Sequence, residues 1–142
     1  MMNVRHGTIK IESIDGFVQA HASILEGSTR VVVKYKEPFT NMGDTQSTIT
    51  FHVSINPSVQ ITRKGQVSSK YAFVRHRKTA GYYLFPEGQL DVQVDTHELM
   101  IMRTEKWLRA KIDAEMTLDK TETIKQSIEI QVDFNTAEGR EL

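Results

Sequence analysis

The sequence predicts an all-β protein, a single antiparallel β-barrel of about eight to ten strands. Three observations carry this. Apolar residues recur at every second position along most of the chain, and no window sustains helical spacing; even Lys106 to Leu118, the best helical candidate, fits period two far better. Turn-forming clusters interrupt the alternation at short intervals: Asp15-Gly16, Glu26-Gly27-Ser28-Thr29, Asn56-Pro57, Arg63-Lys64-Gly65 and Pro86-Glu87-Gly88. The last two strands, at about eleven residues each, span roughly 35 Å. That is long for a sandwich and natural in a tilted barrel.

Taken in order, Ile9 and Ile11 mark a first strand from Thr8 to Ile14. Val18, Ala20, Ala22 and Ile24 share the inner face of the next strand. Val31, Val33 and Tyr35 do so in a third, as far as Pro38, which cannot donate a ladder hydrogen bond. Pro38 to Thr45 reads as an exposed loop. Ile49, Phe51 and Val53 give a fourth strand, and Val59 and Ile61 a fifth. Tyr71, Phe73 and Arg75 then share one side of a strand whose other side, Lys70, Ala72, Val74 and His76, is mixed. Gly81, Tyr83 and Phe85 precede Leu90, Val92 and Val94. After Thr96 the run Leu99-Met100-Ile101-Met102 is apolar on both sides, which predicts a bulge or a bend.

The chain ends in a hairpin. Leu108, Ala110, Ile112, Ala114, Met116 and Leu118 form one apolar face, and Ile124, Ile128, Ile130, Val132 and Phe134 answer it, with Gln126 the exception. A connection over 119–123 implies even opposite even, for example Leu118 with Ile124, Ala114 with Ile128 and Leu108 with Phe134. That register sets Arg109 beside Asp133, and Asp113 unfavourably beside Glu129. One barrel domain thus covers 1–134, and 135–142 reads as a flexible tail.

At 142 residues, a single domain can enclose a core without crosslinks. Its 18 basic and 18 acidic residues cancel, so no global field draws it to nucleic acid or an anionic membrane. The absence of cysteine removes disulfides, thiolate nucleophiles and the common structural zinc sites. Met1 to Gly7 lacks the apolar run of a signal peptide, and no segment is long enough to insert in a bilayer, so a soluble cytoplasmic protein is expected.

Ser58 to Phe134 resembles the YwiB-like family of small bacterial proteins. The matching residues are Val59-Gln60-Ile61-Thr62-Arg63-Lys64-Gly65, then Gly81-Tyr82-Tyr83, Pro86-Glu87-Gly88-Gln89-Leu90, Thr96 and the paired long strands; Val33-Lys34-Tyr35-Lys36-Glu37 and Thr48-Ile49 extend the likeness towards the N-terminus. The resemblance implies a calycin-type, lipocalin-like barrel and brings no catalytic residues with it. The family's turn runs proline, aromatic, glycine, acidic, leucine; here Glu87 replaces the aromatic and Gln89 the acidic residue.

Barrels of this size either fill their interior or hold one small ligand. Ala20, Ala22, Ala110 and Ala114 on inner faces favour a cavity, unless Phe51, Tyr71, Phe73 and Phe134 fill the space opposite them. The expected ligand site has walls of Tyr35, Phe51, Tyr71 and Phe73, with Arg75 as polar anchor, against the plainer reading that Arg75 reaches water at a strand end. Gln126 is the other polar residue on an apolar face.

Two basic clusters are visible. Arg75-His76-Arg77-Lys78 with Tyr82 and Tyr83 offers phosphate contacts and stacking, but strand alternation splits its cations between two faces. Arg103, Lys106, Trp107, Arg109 and Lys111 are diluted by Glu105, Asp113 and Glu115. His6, His21, His52, His76 and His97 lie far apart with no second ligand at metal spacing, His21 and His52 facing outward, so neither a metal nor another cofactor is expected. Asp91 and Asp95 share an outer face, explained by solvation. No nucleophile motif, P-loop or dinucleotide fingerprint occurs. The leading expectation is a non-enzymatic barrel holding a small, largely apolar or amphipathic ligand. A module that contacts RNA or a protein through a basic, aromatic-bearing surface comes second, with nucleic acid disfavoured by charge, and an enzyme third. Oligomeric state is left open.

Overall fold

Ten strands form one closed antiparallel barrel in a computed structural model that describes residues 3–14, 16–38 and 44–134. They are β1 (Asn3–Ser13), β2 (Gly16–Glu26), β3 (Arg30–Lys36), β4 (Gln46–His52), β5 (Ser58–Lys64), β6 (Ser68–Val74), β7 (Lys78–Phe85), β8 (Gly88–Arg103), β9 (Trp107–Leu118) and β10 (Glu122–Phe134). Each strand pairs with its neighbours in sequence, and β10 closes on β1 from Gly7↔Phe134 to Glu12↔Glu129, so no edge strand remains. Among the described residues no helix is long and apolar enough to cross a membrane. The tail expected at 135–142, and Asp15 of the first turn, lie outside the described residues.

Alternation decides what faces inward. Ile9, Ile24, Val31, Val33, Ile49, Phe51, Val59, Phe73, Val94, Leu108 and Val132 are completely buried in one core. β1 begins at Asn3 rather than Thr8, because Arg5 and Gly7 continue the inward parity of Ile9 and Ile11 without being apolar. Thr45 is fully buried rather than part of an exposed loop; its carbonyl accepts from the Glu37 N–H at 2.9 Å, and residues 39–43 lie outside the described residues.

The C-terminal hairpin has the expected parity and a register two residues away from the expected one: Met116 faces Ile124, Ala114 faces Gln126 and Leu108 faces Val132. The connection is the reason. The Thr121 N–H donates to the Leu118 carbonyl across Asp119 and Lys120, whose φ values of 52° and 63° make a tight reversal shorter than the expected loop. Asp113 therefore meets Ser127, and Glu129 meets Lys111, whose Nζ lies 4.0 Å away. The like-charge contact does not form.

The irregularity expected after Thr96 is a bulge at His97, between the pairs Thr96↔Ala114 and Glu98↔Asp113. It switches the inward parity of β8 from even to odd. Leu99 is buried, Met100 and Met102 are exposed, and Arg103 turns towards the interior. There the buried Glu26 carboxylate accepts from Arg103 Nη2 at 3.1 Å and lies 3.2 Å from Arg5 Nε. Arg103 also donates to the Gly27 and Ser28 carbonyls, and Arg5 to the Glu105 carbonyl while lying over the Phe134 ring. This cluster closes the end of the barrel that carries the β2–β3 and β8–β9 turns.

Candidate functional site

The opposite end is built differently. Four inner alternations reach it, and each ends polar: Val31-Val33-Tyr35-Glu37 along β3, Phe51-Ile49-Ser47 along β4, Val59-Ile61-Arg63 along β5 and Phe73-Tyr71-Ser69 along β6. Pairing aligns them into rows. Val31, Phe51, Val59 and Phe73 form one, and Val33, Ile49, Ile61 and Tyr71 the next. Tyr35, Ser47, Arg63, Ser69 and Tyr83 then form a polar belt at the rim.

Glu37 sits behind this belt, and Thr45 places it there. A side chain on Gly65 would stand 2.6 Å from Thr45 Oγ1, so the β5–β6 turn packs against Thr45, whose carbonyl in turn holds the Glu37 N–H. A side chain on Gly81 would collide with the Lys70 carbonyl; its absence lets β7 press Tyr83 against Tyr71, ring centroids 5.7 Å apart.

Within the belt, Ser47 Oγ donates to Glu37 Oε2, and Arg63 Nε stands 3.6 Å from the same oxygen. Arg63 Nη1 donates to the Tyr71 hydroxyl at 2.9 Å. Burial, with Glu37 beside it, raises the Tyr35 phenol well above its ordinary range, so it stays protonated. Burial opposes the charge on Arg63, but the Tyr71 hydroxyl that accepts from it, with Tyr35 and Tyr83 nearby, together outweigh that and strengthen the guanidinium's hold on its proton. The outcome is an internally compensated ion pair beside the apolar core.

Tyr35, Arg63 and Tyr83 of this belt, together with Glu37 and Tyr71, line a cavity of about 310 Å³, whose apolar walls include Ile11, Val18, Ile61, Met116 and Ile128, with Gln126 and Phe17 also in the lining. It exists because β2 and β3 pair only from Ser23↔Lys34 to Glu26↔Val31 and then part towards this end. The interior is thus filled at one end and hollow at the other.

Of the residues expected to form a ligand site, Tyr35 and Tyr71 line the cavity, whereas Phe51 and Phe73 lie in the filled layer beneath. Arg75 is elsewhere. β6 ends at Val74 and His76 takes a positive φ of 61°, so Arg75 projects into water at the closed end and donates to the Ile55 carbonyl. Among the described residues, the cation lining the cavity is Arg63. Alternation does not split the basic run either, since Arg75, His76, Arg77 and Lys78 are all exposed around one turn. Their field is reduced by neighbours: His76 lies 3.9 Å from Glu98, and Lys78 stands opposite Asp95 in the β7–β8 register. In the second cluster, Arg103 is drawn inward to Glu26 and Arg109 stacks over Trp107 at 4.3 Å. The bulge also gathers Asp95, His97 and Glu115, ligand atoms within 4.8 Å of one another, on the outer face. A search along the chain misses that grouping because Glu115 arrives from β9.

The sequence pattern of the Domain of unknown function DUF1934 matches residues 4–130. The crystal structure of ywiB protein from Bacillus subtilis superposes with a TM-score of 0.75, covering 95% of this chain and 96% of that one at 19% identity, a likeness of fold. None of the curated proteins matches the chain. The barrel, the resemblance carried by Val59–Gly65 and Gly81–Tyr83, and the match along nearly the whole length agree: the chain belongs to the DUF1934 family.

Proposed function

We propose that the protein is a non-enzymatic, cytoplasmic barrel that binds one small, largely apolar ligand at its hollow end. The observation that carries this reading is a cavity of about 310 Å³ walled by Ile11, Val18, Ile61, Met116 and Ile128 and bordered by the Arg63–Glu37 pair. Apolar walls with a few convergent polar groups are the usual makeup of a small-molecule site. Tyr83, stacked on Phe85 with centroids 6.2 Å apart, and the exposed Phe17 add aromatic surface to the lining. Nucleic acid is not the partner in this reading, because acidic residues flank the basic turn and net charge is zero.

The neutral fluorophore N-phenyl-1-naphthylamine tests it. Saturable, one-to-one enhancement of its emission is expected with the unmodified protein, and loss of that signal in Val18→Trp, where a large ring at a half-buried wall position occupies the space. Absence of saturable binding to the folded, unmodified protein refutes the reading.

A further inference from the structure

We infer that the cavity selects a neutral head group that accepts and donates hydrogen bonds side by side, a primary amide being the simplest, and discriminates against carboxylates; this rests on the ligand-binding reading above. An interior arginine in an apolar cavity ordinarily invites an anion. Here the guanidinium already has one. Glu37 Oε2 lies 3.6 Å from Arg63 Nε and accepts from Ser47, and both Glu37 and Arg63 line the cavity.

The Glu37 side chain is only 4% exposed and that of Arg63 19%, so bulk water screens the pair poorly. A carboxylate at Arg63 would place a second negative charge beside Glu37 with nothing added to balance it. Tyr35, held protonated, supplies no positive charge, and neither do the remaining belt residues, Ser47, Ser69 and Tyr83. A primary amide meets the pair as it stands: its carbonyl oxygen accepts from the guanidinium and its N–H donates to the carboxylate, while its alkyl chain follows Ile61 and Ile128. A strongly anionic phosphate head fits less well than a carboxylate for the same reason.

Octanamide and octanoate share chain length and shape and differ in head charge. Their dissociation constants for the folded protein, measured by calorimetry or by displacement of N-phenyl-1-naphthylamine at neutral pH, provide the test. Octanamide is expected to bind at least tenfold more tightly. In Glu37→Gln, which leaves Arg63 without its counterion, the order should reverse. If that variant does not fold, the comparison in the unmodified protein decides alone. Equal or tighter binding of octanoate to the unmodified protein overturns the head-group inference and leaves the ligand-binding reading standing. Saturable binding of none of the three compounds, the fluorophore included, overturns both.

Discussion

Ile112 and Lys111 are adjacent on β9 and point to opposite sides of the barrel wall, so the same substitution at each isolates the effect of facing inward. Ile112 is 1% exposed and pairs with Ile128 and Leu99 within the core. Ile112→Asp forfeits about 2–3 kcal/mol of apolar burial. It also places a carboxyl group among the apolar side chains of the core, for roughly several kcal/mol more whether the group stays charged or takes up a proton. A loss of about 5 kcal/mol or more consumes most of the stability of a domain whose total is about 5–15 kcal/mol. The Lys111 side chain is 68% exposed, and its ion pair with Glu129, at 4.0 Å, is at the limit of contact. Lys111→Asp replaces that weak attraction with a screened repulsion worth about 0–1 kcal/mol. Urea denaturation followed by circular dichroism should therefore show Ile112→Asp unfolded or nearly so without denaturant, and Lys111→Asp with a midpoint close to the unmodified protein's. Equal midpoints for the two variants would refute the assignment of faces, and with it the argument for the interior.

Two more predictions follow from the belt and the basic turn. The folded Tyr35 phenol holds its proton above the ordinary value of 10.0, so the unfolded chain loses that proton first; stability should be intact below about pH 10 and fall as pH rises further, and Tyr35→Phe should weaken that alkaline decline in thermal melts. An unchanged alkaline profile in the variant would show that Tyr35 is not the group responsible. At low salt, no RNA binding should be detectable by fluorescence anisotropy, and neutralising Arg75, Arg77 and Lys78 together should change nothing; a steeply salt-dependent affinity lost in that triple variant would instead make the basic turn a binding surface.

Alternation made nearly every inner face legible, because a strand with one buried side has to repeat with period two whatever its neighbours do. It also made the bulge legible, since Leu99-Met100-Ile101-Met102 cannot satisfy one period. Register along the last hairpin was another matter. A shift of two residues keeps every apolar side chain inside, so the choice passes to the turn, and neither Asp119 nor Lys120 announces a left-handed backbone as glycine would. The site was legible only in part. The inward parity that places Ile61 and Tyr71 continues to Arg63 and Ser69, so the polar belt was present in the sequence, disguised as turn residues. Reading the same parity past Val74 led to Arg75, where the positive φ of His76 had already ended the strand. What remained hidden is the row itself, because Tyr35, Ser47, Arg63 and Ser69 become neighbours only through four-strand pairing.

The barrel contains the same chemistry twice, a buried carboxylate held by arginine, with opposite consequences at its two ends. At the closed end Glu26 is held by two arginines, and these spend further donors on the Gly27, Ser28 and Glu105 carbonyls while Phe134 packs beneath Arg5. Such a cluster ties β1, β2 and β8 to the turns around them and acts as a plug. At the other end Glu37 and Arg63 are anchored through β4, β5 and β6, by Ser47, Thr45 and Tyr71, but β2 has parted from β3 beside them and leaves space. The difference lies in strand pairing, not in residue type. Four residue pairs between β2 and β3 join the wall at the plugged end and run out before the belt, so the polar pair that would otherwise complete a second plug lines a cavity instead.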